Sequence, residues 1–301
     1  MKKKTAANLF MLLGSIIWGA AFVAQSIGAR YLGPFAFGAI RFLLGSLVLL
    51  PVMYFLKRRA PEQKEADAPL SEYIKAGGIC GVALFAGATL QQYGLMYSTA
   101  SNAGFVTALY IVLVPIFGFI FLRRKLERKV IAAIAVATVG VYFLCINSQF
   151  SVNKGDALTM MGSVCWAVQI LCLERFSQKL DGIKFALFEF LTCSALSGIM
   201  MFIVERPSWQ SIYAAALPLL YCGLLSVGVG FTAQIICVKY TDPVVASLIM
   251  STESVFAAML GWLVLGEHLS ARQLFGGVLV FFAVILTQLP PRRRVKPRTT
   301  E

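Results

Sequence analysis

Histidine and charge are both scarce in this sequence, and their scarcity excludes most enzyme classes. The only histidine is His268, and charged residues make up 14% of the 301 positions, against about 25% in soluble domains. One histidine cannot complete an HExxH zinc site, and the sequence contains no G-x-x-x-x-G-K-[ST] loop for ATP. We therefore expect no catalytic residue, no cofactor and no direct use of ATP.

Cysteine is present, but in no pattern that binds metal or builds a disulfide framework. None of the seven cysteines forms a C-x-x-C pair, and all of them lie within apolar stretches. Zinc ribbons and disulfide-rich secreted domains need such pairs or regular spacings. We interpret these cysteines as small residues that pack between helices, and we expect no metal site.

Apolar residues make up 58% of the chain, which exceeds the roughly 45–50% of an average soluble domain. A soluble protein of this length could not bury so much apolar surface, and a disordered chain would be poor in apolar residues. The sequence therefore predicts an integral membrane protein. The net charge of +13 does not indicate a nucleic-acid partner, because Lys and Arg cluster in the short segments between apolar stretches.

Ten apolar stretches are long enough, at about 20 residues each, to cross a bilayer as helices. They cover residues 7–27, 34–56, 73–98, 102–122, 130–147, 156–176, 184–204, 211–238, 244–265 and 271–290. The expected fold class is therefore an all-α integral membrane protein with ten transmembrane helices. The first stretch is interpreted as a retained helix, because no convincing cleavage site follows it.

The distribution of basic residues predicts the orientation. If the N-terminus is cytoplasmic, 21 of the 27 Lys and Arg residues fall on the cytoplasmic side and four on the other. The positive-inside rule therefore places both termini in the cytoplasm of a cell-membrane protein.

The second half of the chain repeats the first at constant offsets. A shift of 148 residues aligns Trp18 with Trp166, and a shift of 143 aligns Gln91 with Gln234. We expect two five-helix repeats, 7–147 and 156–290, followed by a basic cytoplasmic tail at 291–301. Five spans are an odd number, so the second repeat is inverted, as is typical of alternating-access transporters. A duplicated bundle without a transport role is the alternative.

Three local strings resemble a known family. They are GSIIWG at 14–19, FGAIRF at 37–42, and STESVFAAMLGWLVLGEH at 251–268. With the five-plus-five layout, they resemble the EamA-type family of the drug/metabolite transporter superfamily, although Ser254 stands where that family usually has proline. The resemblance implies a transporter of small organic solutes, often an exporter of amino acids or other metabolites, and leaves the substrate open.

Three ionisable residues lie well inside predicted spans: Arg41, Glu189 and Glu253. A charge at the bilayer centre costs at least about 2.5–3.5 kcal/mol, so each should face a cavity or a partner. Arg41 suits either a substrate carboxylate, bound through two parallel hydrogen bonds, or a structural ion pair. Glu189, its repeat equivalent, is either an amine-binding or protonatable group or a buried partner of Arg41 or of backbone. Glu253 is a second protonatable candidate.

Five further candidates for substrate binding or coupling are polar or aromatic residues in the spans: Trp18, Gln91, Tyr110, Trp166 and Gln234. The glutamines either join helices or contact substrate, and the tryptophans either line a cavity or pack. Tyr110 is the repeat equivalent of Glu253. By contrast, Glu267 and His268 are expected to be solvated in an external loop.

Because these polar positions recur in both halves, we expect them to converge on one cavity near the membrane midplane. The function predicted is transport of a small molecule by alternating access, with the lipid bilayer as the surroundings and a proton as a candidate coupling ion. The alternatives are a membrane receptor or scaffold that binds a ligand without moving it, and a channel.

Overall fold

A computed structural model describes residues 2–59, 68–123, 128–145, 152–240, 246 and 249–288. Regular structure in these ranges is helical, and they contain no β-strand. Most of the predicted linker between the second and third spans, and the predicted tail 291–301, lie outside the described residues.

Thirteen α-helices and one π-helical segment make up the described structure. They are α1 Lys2–Gly28, α2 Pro34–Arg59, α3 Leu70–Leu95, α4 Ala100–Thr107, α5 Tyr110–Leu122, α6 Arg128–Cys145, α7 Lys154–Ser177, α8 Gly182–Val204, α9 Trp209–Ala214, α10 Ala216–Leu220, the π-segment Tyr221–Phe231, α11 Thr232–Val238, α12 Glu253–Leu265 and α13 Ala271–Gln288.

Seven helical stretches in the described ranges are long and apolar enough to cross a membrane. They are Thr5–Gly28, Pro34–Phe55, Leu70–Leu95, Ala100–Phe121, Lys154–Ser177, Gly182–Val204 and Ala216–Val238. Shorter apolar helices, Ile131–Gly140, Ile249–Leu265 and Ala271–Ala283, lie within the three remaining predicted spans. The chain is thus an all-helical, multi-pass membrane protein, and the number ten stays a prediction.

Two helix breaks lie at positions that are equivalent under the shift of 143 residues. Between α4 and α5, the amide of Leu109 donates to the carbonyl oxygen of Val106 (3.1 Å). Before α12, the amide of Thr252 donates to the carbonyl oxygen of Ile249 (3.3 Å). Both bonds reach back three residues instead of four, so each helix tightens for one turn. Each break directly precedes a candidate residue, Tyr110 in one half and Glu253 in the other. Broken helices at such points are characteristic of transporter binding sites.

Helices α5 and α12 also end in the same way. Arg123 and Gly266, again 143 residues apart, both adopt left-handed backbone conformations, with φ of 53° and 66°. Glycine adopts this conformation without strain, whereas arginine does so rarely. The left-handed end is therefore a backbone feature common to both halves, present even where the sequence does not favour it.

Helix α8 packs against α3 with almost no space between the two backbones. A Cβ atom added at Gly77 would lie 2.5 Å from Cβ of Phe188, and one added at Gly81 would lie 2.8 Å from the carbonyl oxygen of Glu189. These contacts place the Glu189 side of α8 directly on α3 and bury the carboxyl completely.

Two glutamates each close the N-terminus of a distant helix. Glu205, just after α8, accepts hydrogen bonds from the amides of Phe35 (3.0 Å) and Ala36 (2.7 Å) at the start of α2. The first amides of a helix have no partner within it, and a carboxylate satisfies them while complementing the helix dipole.

Glu267 does the same for α4, accepting from the amides of Ala100 (2.8 Å) and Ser101 (2.9 Å) and from the Ser101 hydroxyl (2.6 Å). The expectation that Glu267 is solvated was therefore wrong. Its loop position is as expected, but its partners lie 166–167 residues earlier in the chain, and no local pattern indicates them.

Candidate functional site

A cavity lined by both polar and aromatic side chains lies between α1, α2, α3, the α4–α5 break, α7, the π-segment, α11 and the start of α12. The volume that the centres of water molecules can occupy in it is about 50 Å³, so the cavity has room for only a few waters. Seven of the eight candidate residues line it. They are Trp18, Arg41, Gln91, Tyr110, Trp166, Gln234 and Glu253.

Arg41 brings a buried positive charge to the cavity wall. Only 4% of the residue is exposed, and its guanidinium donates to Oε1 of Gln25 at 2.6 Å. The guanidinium also lies near the rings of Phe37 (5.5 Å) and Phe42 (4.9 Å), close enough for cation–π attraction. Nε of Arg41 has no hydrogen-bond partner, and no carboxylate in the described part of the chain forms an ion pair with it.

Gln91 connects three helices around this charge. Its amide nitrogen donates to Oε1 of Gln25 (3.4 Å), and its oxygen accepts from the indole of Trp166 (3.1 Å) and the hydroxyl of Thr107 (3.4 Å). The two donors fix which end of the Gln91 amide points toward Gln25. Gln25 therefore presents one oxygen to both Gln91 and Arg41, which orients the guanidinium.

Tyr110 and Glu253, which correspond under the shift of 143 residues, meet on another part of the wall. The Tyr110 hydroxyl donates to Oε1 of Glu253 at 3.2 Å, and both residues are at least 95% buried. Gln234 also lines the cavity, and its side-chain oxygen has no donor among the described residues. The cavity thus presents hydrogen-bond acceptors on one part of its wall and a cation on another.

Aromatic rings form the apolar part of the wall. Phe231 packs against Trp18 with ring centroids 5.1 Å apart and stacks on Trp166 at 5.7 Å. The Trp18 indole donates to the carbonyl of Ser226 (3.3 Å), which lies in the π-segment. Wider π-helical turns leave carbonyls available to side chains and are frequent at functional sites.

Glu189 is the one candidate that does not line the cavity. It lies on α8 and accepts from Nε2 of Gln169 at 2.8 Å, and no ion pair joins it to Arg41. Cys193 lies within electrostatic range of both groups. The interpretation of Glu189 as a partner of Arg41 or of backbone was therefore wrong, because its carboxyl, buried where α8 packs closely on α3, bonds to Gln169 instead.

Sequence reasoning did not single out several residues that line the cavity. They are Gln25, Thr107, Ser226, Phe231 and Met250, among others. Gln25 and Thr107 carried a usable signal, since each is a polar residue in an apolar stretch, as Gln91 is. Phe231 carried none, because aromatic residues are common throughout these spans.

Comparison with known proteins gives a consistent result over nearly the whole chain. The model of the EamA-like transporter family matches it twice, at residues 5–146 and 153–289. An uncharacterized transporter of Archaeoglobus fulgidus is 30% identical over 287 residues, which cover 95% of this chain and 87% of that protein. The uncharacterized inner membrane transporter YedA of Escherichia coli K12 is 25% identical over 288 residues, covering 90% of this chain and 87% of YedA.

A solved structure, described as "Crystal structure of protein", has a similar fold. The two superpose with a TM-score of 0.72 over 97% of this chain and 99% of the other, at 20% sequence identity. At this identity the similarity concerns the fold alone.

Proposed function

Because the chain belongs to the EamA-like transporter family, we propose that it carries small organic solutes bearing a carboxylate through the cavity described above. The protein is a multi-pass membrane protein of transporter type. The solute class, the route and the mechanism make up the proposal.

One observation carries the solute class: Arg41 lines the cavity, is almost fully buried, and has no carboxylate partner in the described structure. A buried charge without a counter-charge is costly, so a transported anion that supplies one gains binding energy. A guanidinium binds carboxylates in a planar, bidentate arrangement, and Nε of Arg41 is available for one of the two bonds.

The rest of the wall favours an amphipathic solute. Glu253 and the unpartnered oxygen of Gln234 accept hydrogen bonds from an amine or hydroxyl, while Phe231 and its tryptophan neighbours contact an apolar body. Organic acids and amino acids combine these features. Because the cavity holds only a few waters in this conformation, binding such a solute requires the helices to separate.

We propose that transport proceeds by alternating access between two inverted five-helix repeats, with both termini cytoplasmic and export as the direction. Three features support the repeat: the two family matches, the equivalent helix breaks, and the contact between the equivalent residues Tyr110 and Glu253. No ATP-binding loop occurs in the sequence, so the solute gradient or an ion gradient drives the cycle, with a proton as the candidate ion.

The test is counterflow in liposomes that contain the purified protein. A panel of amino acids and organic acids is compared with their methyl esters, which keep the shape and lose the negative charge. We expect the acids to exchange and the esters to fail, and Arg41→Gln to lose exchange of the acids. Binding without flux would identify a receptor instead, and equal flux of acids and esters would refute the role of Arg41.

A further inference from the structure

A second buried polar cluster lies outside the cavity, where α3, α7 and α8 meet. Its centre is Glu189 on α8 and Gln169 on α7, and neither residue is exposed at all. Neither lines the cavity. The cluster therefore needs an explanation separate from solute binding.

The hydrogen bonds of this pair are incomplete in a specific way. Nε2 of Gln169 donates to Oε1 of Glu189 at 2.8 Å. The other oxygen of each side chain, Oε2 of Glu189 and Oε1 of Gln169, has no hydrogen-bond partner. Both oxygens of an ionised carboxylate and the oxygen of an amide are acceptors only, so two buried acceptors are left without a donor.

The groups that face Glu189 do not supply a compensating contact. From α3 the neighbour is the thiol of Cys80, from α7 the thiol of Cys172, and on α8 itself the thiol of Cys193. From α2, Arg41 lies near Cys193, but its guanidinium donates its hydrogen bond to Gln25 and not to Glu189. An ionised Glu189 would thus be a buried anion with a single hydrogen bond, which is strongly unfavourable.

A single proton resolves both defects. Placed on Oε2, it converts that oxygen from an acceptor into a donor, and the oxygen of Gln169 is the acceptor that lacks one. A carboxylic acid and a primary amide pair edge to edge through two such bonds, and the observed bond from Nε2 to Oε1 is one of the two. We propose that Glu189 and Gln169 form a proton-binding site, occupied in this conformation.

This inference rests on the proposed function for its consequence, which is the coupling of proton and solute. Cys193 interacts electrostatically with both Arg41 and Glu189, which places the two groups in one buried neighbourhood, and we expect a negative charge on Glu189 to be felt at Arg41. When Glu189 is neutral, Arg41 lacks a counter-charge and binds an anion. When Glu189 loses its proton, its negative charge weakens the attraction of Arg41 for a second anion. Proton and carboxylate solute therefore favour each other's binding, and the linkage is reciprocal.

The protonation state is testable without any solute, by infrared spectroscopy of the purified protein in lipid at neutral pH. Glu189→Gln should remove a carbonyl band of protonated carboxyl groups, while Glu205→Gln, the control at a helix-capping glutamate, should remove carboxylate bands only. Glu189→Gln should fold normally, because two amides also pair edge to edge. Loss of carboxylate bands alone in Glu189→Gln would overturn the proposal.

Two further variants test the partner and the linkage. Gln169→Leu removes the acceptor, so the Glu189 carbonyl band should move to higher frequency. An unchanged band would exclude Gln169 as the partner. Arg41→Gln removes the nearby cation, so the Glu189 carbonyl band should persist to higher pH than in the wild type. If the band disappears at the same pH in both proteins, the linkage is refuted. Counterflow is measured separately, so the proton site and solute transport can fail independently.

Discussion

The carboxylate of Glu267 offers the sharpest test of the packing described above. Glu267→Ala removes both acceptor oxygens from the start of α4, where they bind the amides of Ala100 and Ser101. These two residues are 0% and 1% exposed, so water does not readily replace the lost contacts. We therefore expect a loss of stability much larger than a loop substitution normally causes.

The size of the effect follows from the two amides. A buried donor left without a partner costs about 1–3 kcal/mol. Two of them give about 2–6 kcal/mol, and some water enters the space that the side chain leaves, so we expect about 2–4 kcal/mol. In a chain of this length, this corresponds to a fall in Tm of roughly 3–6 °C. Glu267→Gln retains one acceptor oxygen and should lose less.

The assay is tryptophan fluorescence during heating of the detergent-solubilised protein, read at one fixed scan rate because membrane proteins often unfold irreversibly. His268→Gln, an exposed neighbour in the same loop, is the matched control and should leave Tm unchanged. If Glu267→Ala has the same Tm as His268→Gln, the carboxylate does not stabilise the start of α4 and the reasoning is refuted.

Three further predictions concern helix contacts and topology. Gly81→Ala should lower the yield of folded protein, because the added Cβ would clash with the backbone of α8. Gly78→Ala is the control and should not lower the yield, because the space around Gly78 is open. Equal yields would contradict the close packing of the two helices. Gly230→Ala should displace the indole of Trp18, which lies 2.7 Å from the added Cβ, and should reduce counterflow more than it reduces yield. Gln63→Cys in a cysteine-depleted variant should react with an impermeant maleimide only after the cells are permeabilised, and labelling of intact cells would reverse the orientation.

The helical class and the position of most candidate residues could be predicted because they depend on local composition. A charged side chain such as Arg41 in a long apolar stretch is stable only if it faces a cavity or a partner, so the sequence alone indicates where it points. The repeat offsets added a second constraint, since they pair Tyr110 with Glu253, and these two side chains are in contact.

The partners of each polar group could not be predicted, because they depend on helix rotation and on distant segments. Glu189 bonds to Gln169 and not to Arg41, and it lies on a helix whose close approach to α3 depends on glycines of another span. The π-helical turns that place Ser226 beside Trp18 have no reliable local signature. Both features are consequences of tertiary packing, which overrides local sequence preference.

The two helix-capping glutamates have a consequence for the energy balance of the transport cycle. Under the repeat offsets, Glu205 corresponds to Lys57 and Glu267 to Arg124. A carboxylate stabilises a helix N-terminus, whereas a cation at the same place destabilises it. In the proposed exchange of conformations, the end of the bundle closed by the glutamates is therefore held shut more firmly than the opposite end can be. An imbalance of about 1.4 kcal/mol makes one state ten times more populated than the other, so we expect the empty carrier of the proposed cycle to rest mainly with its glutamate-capped end closed.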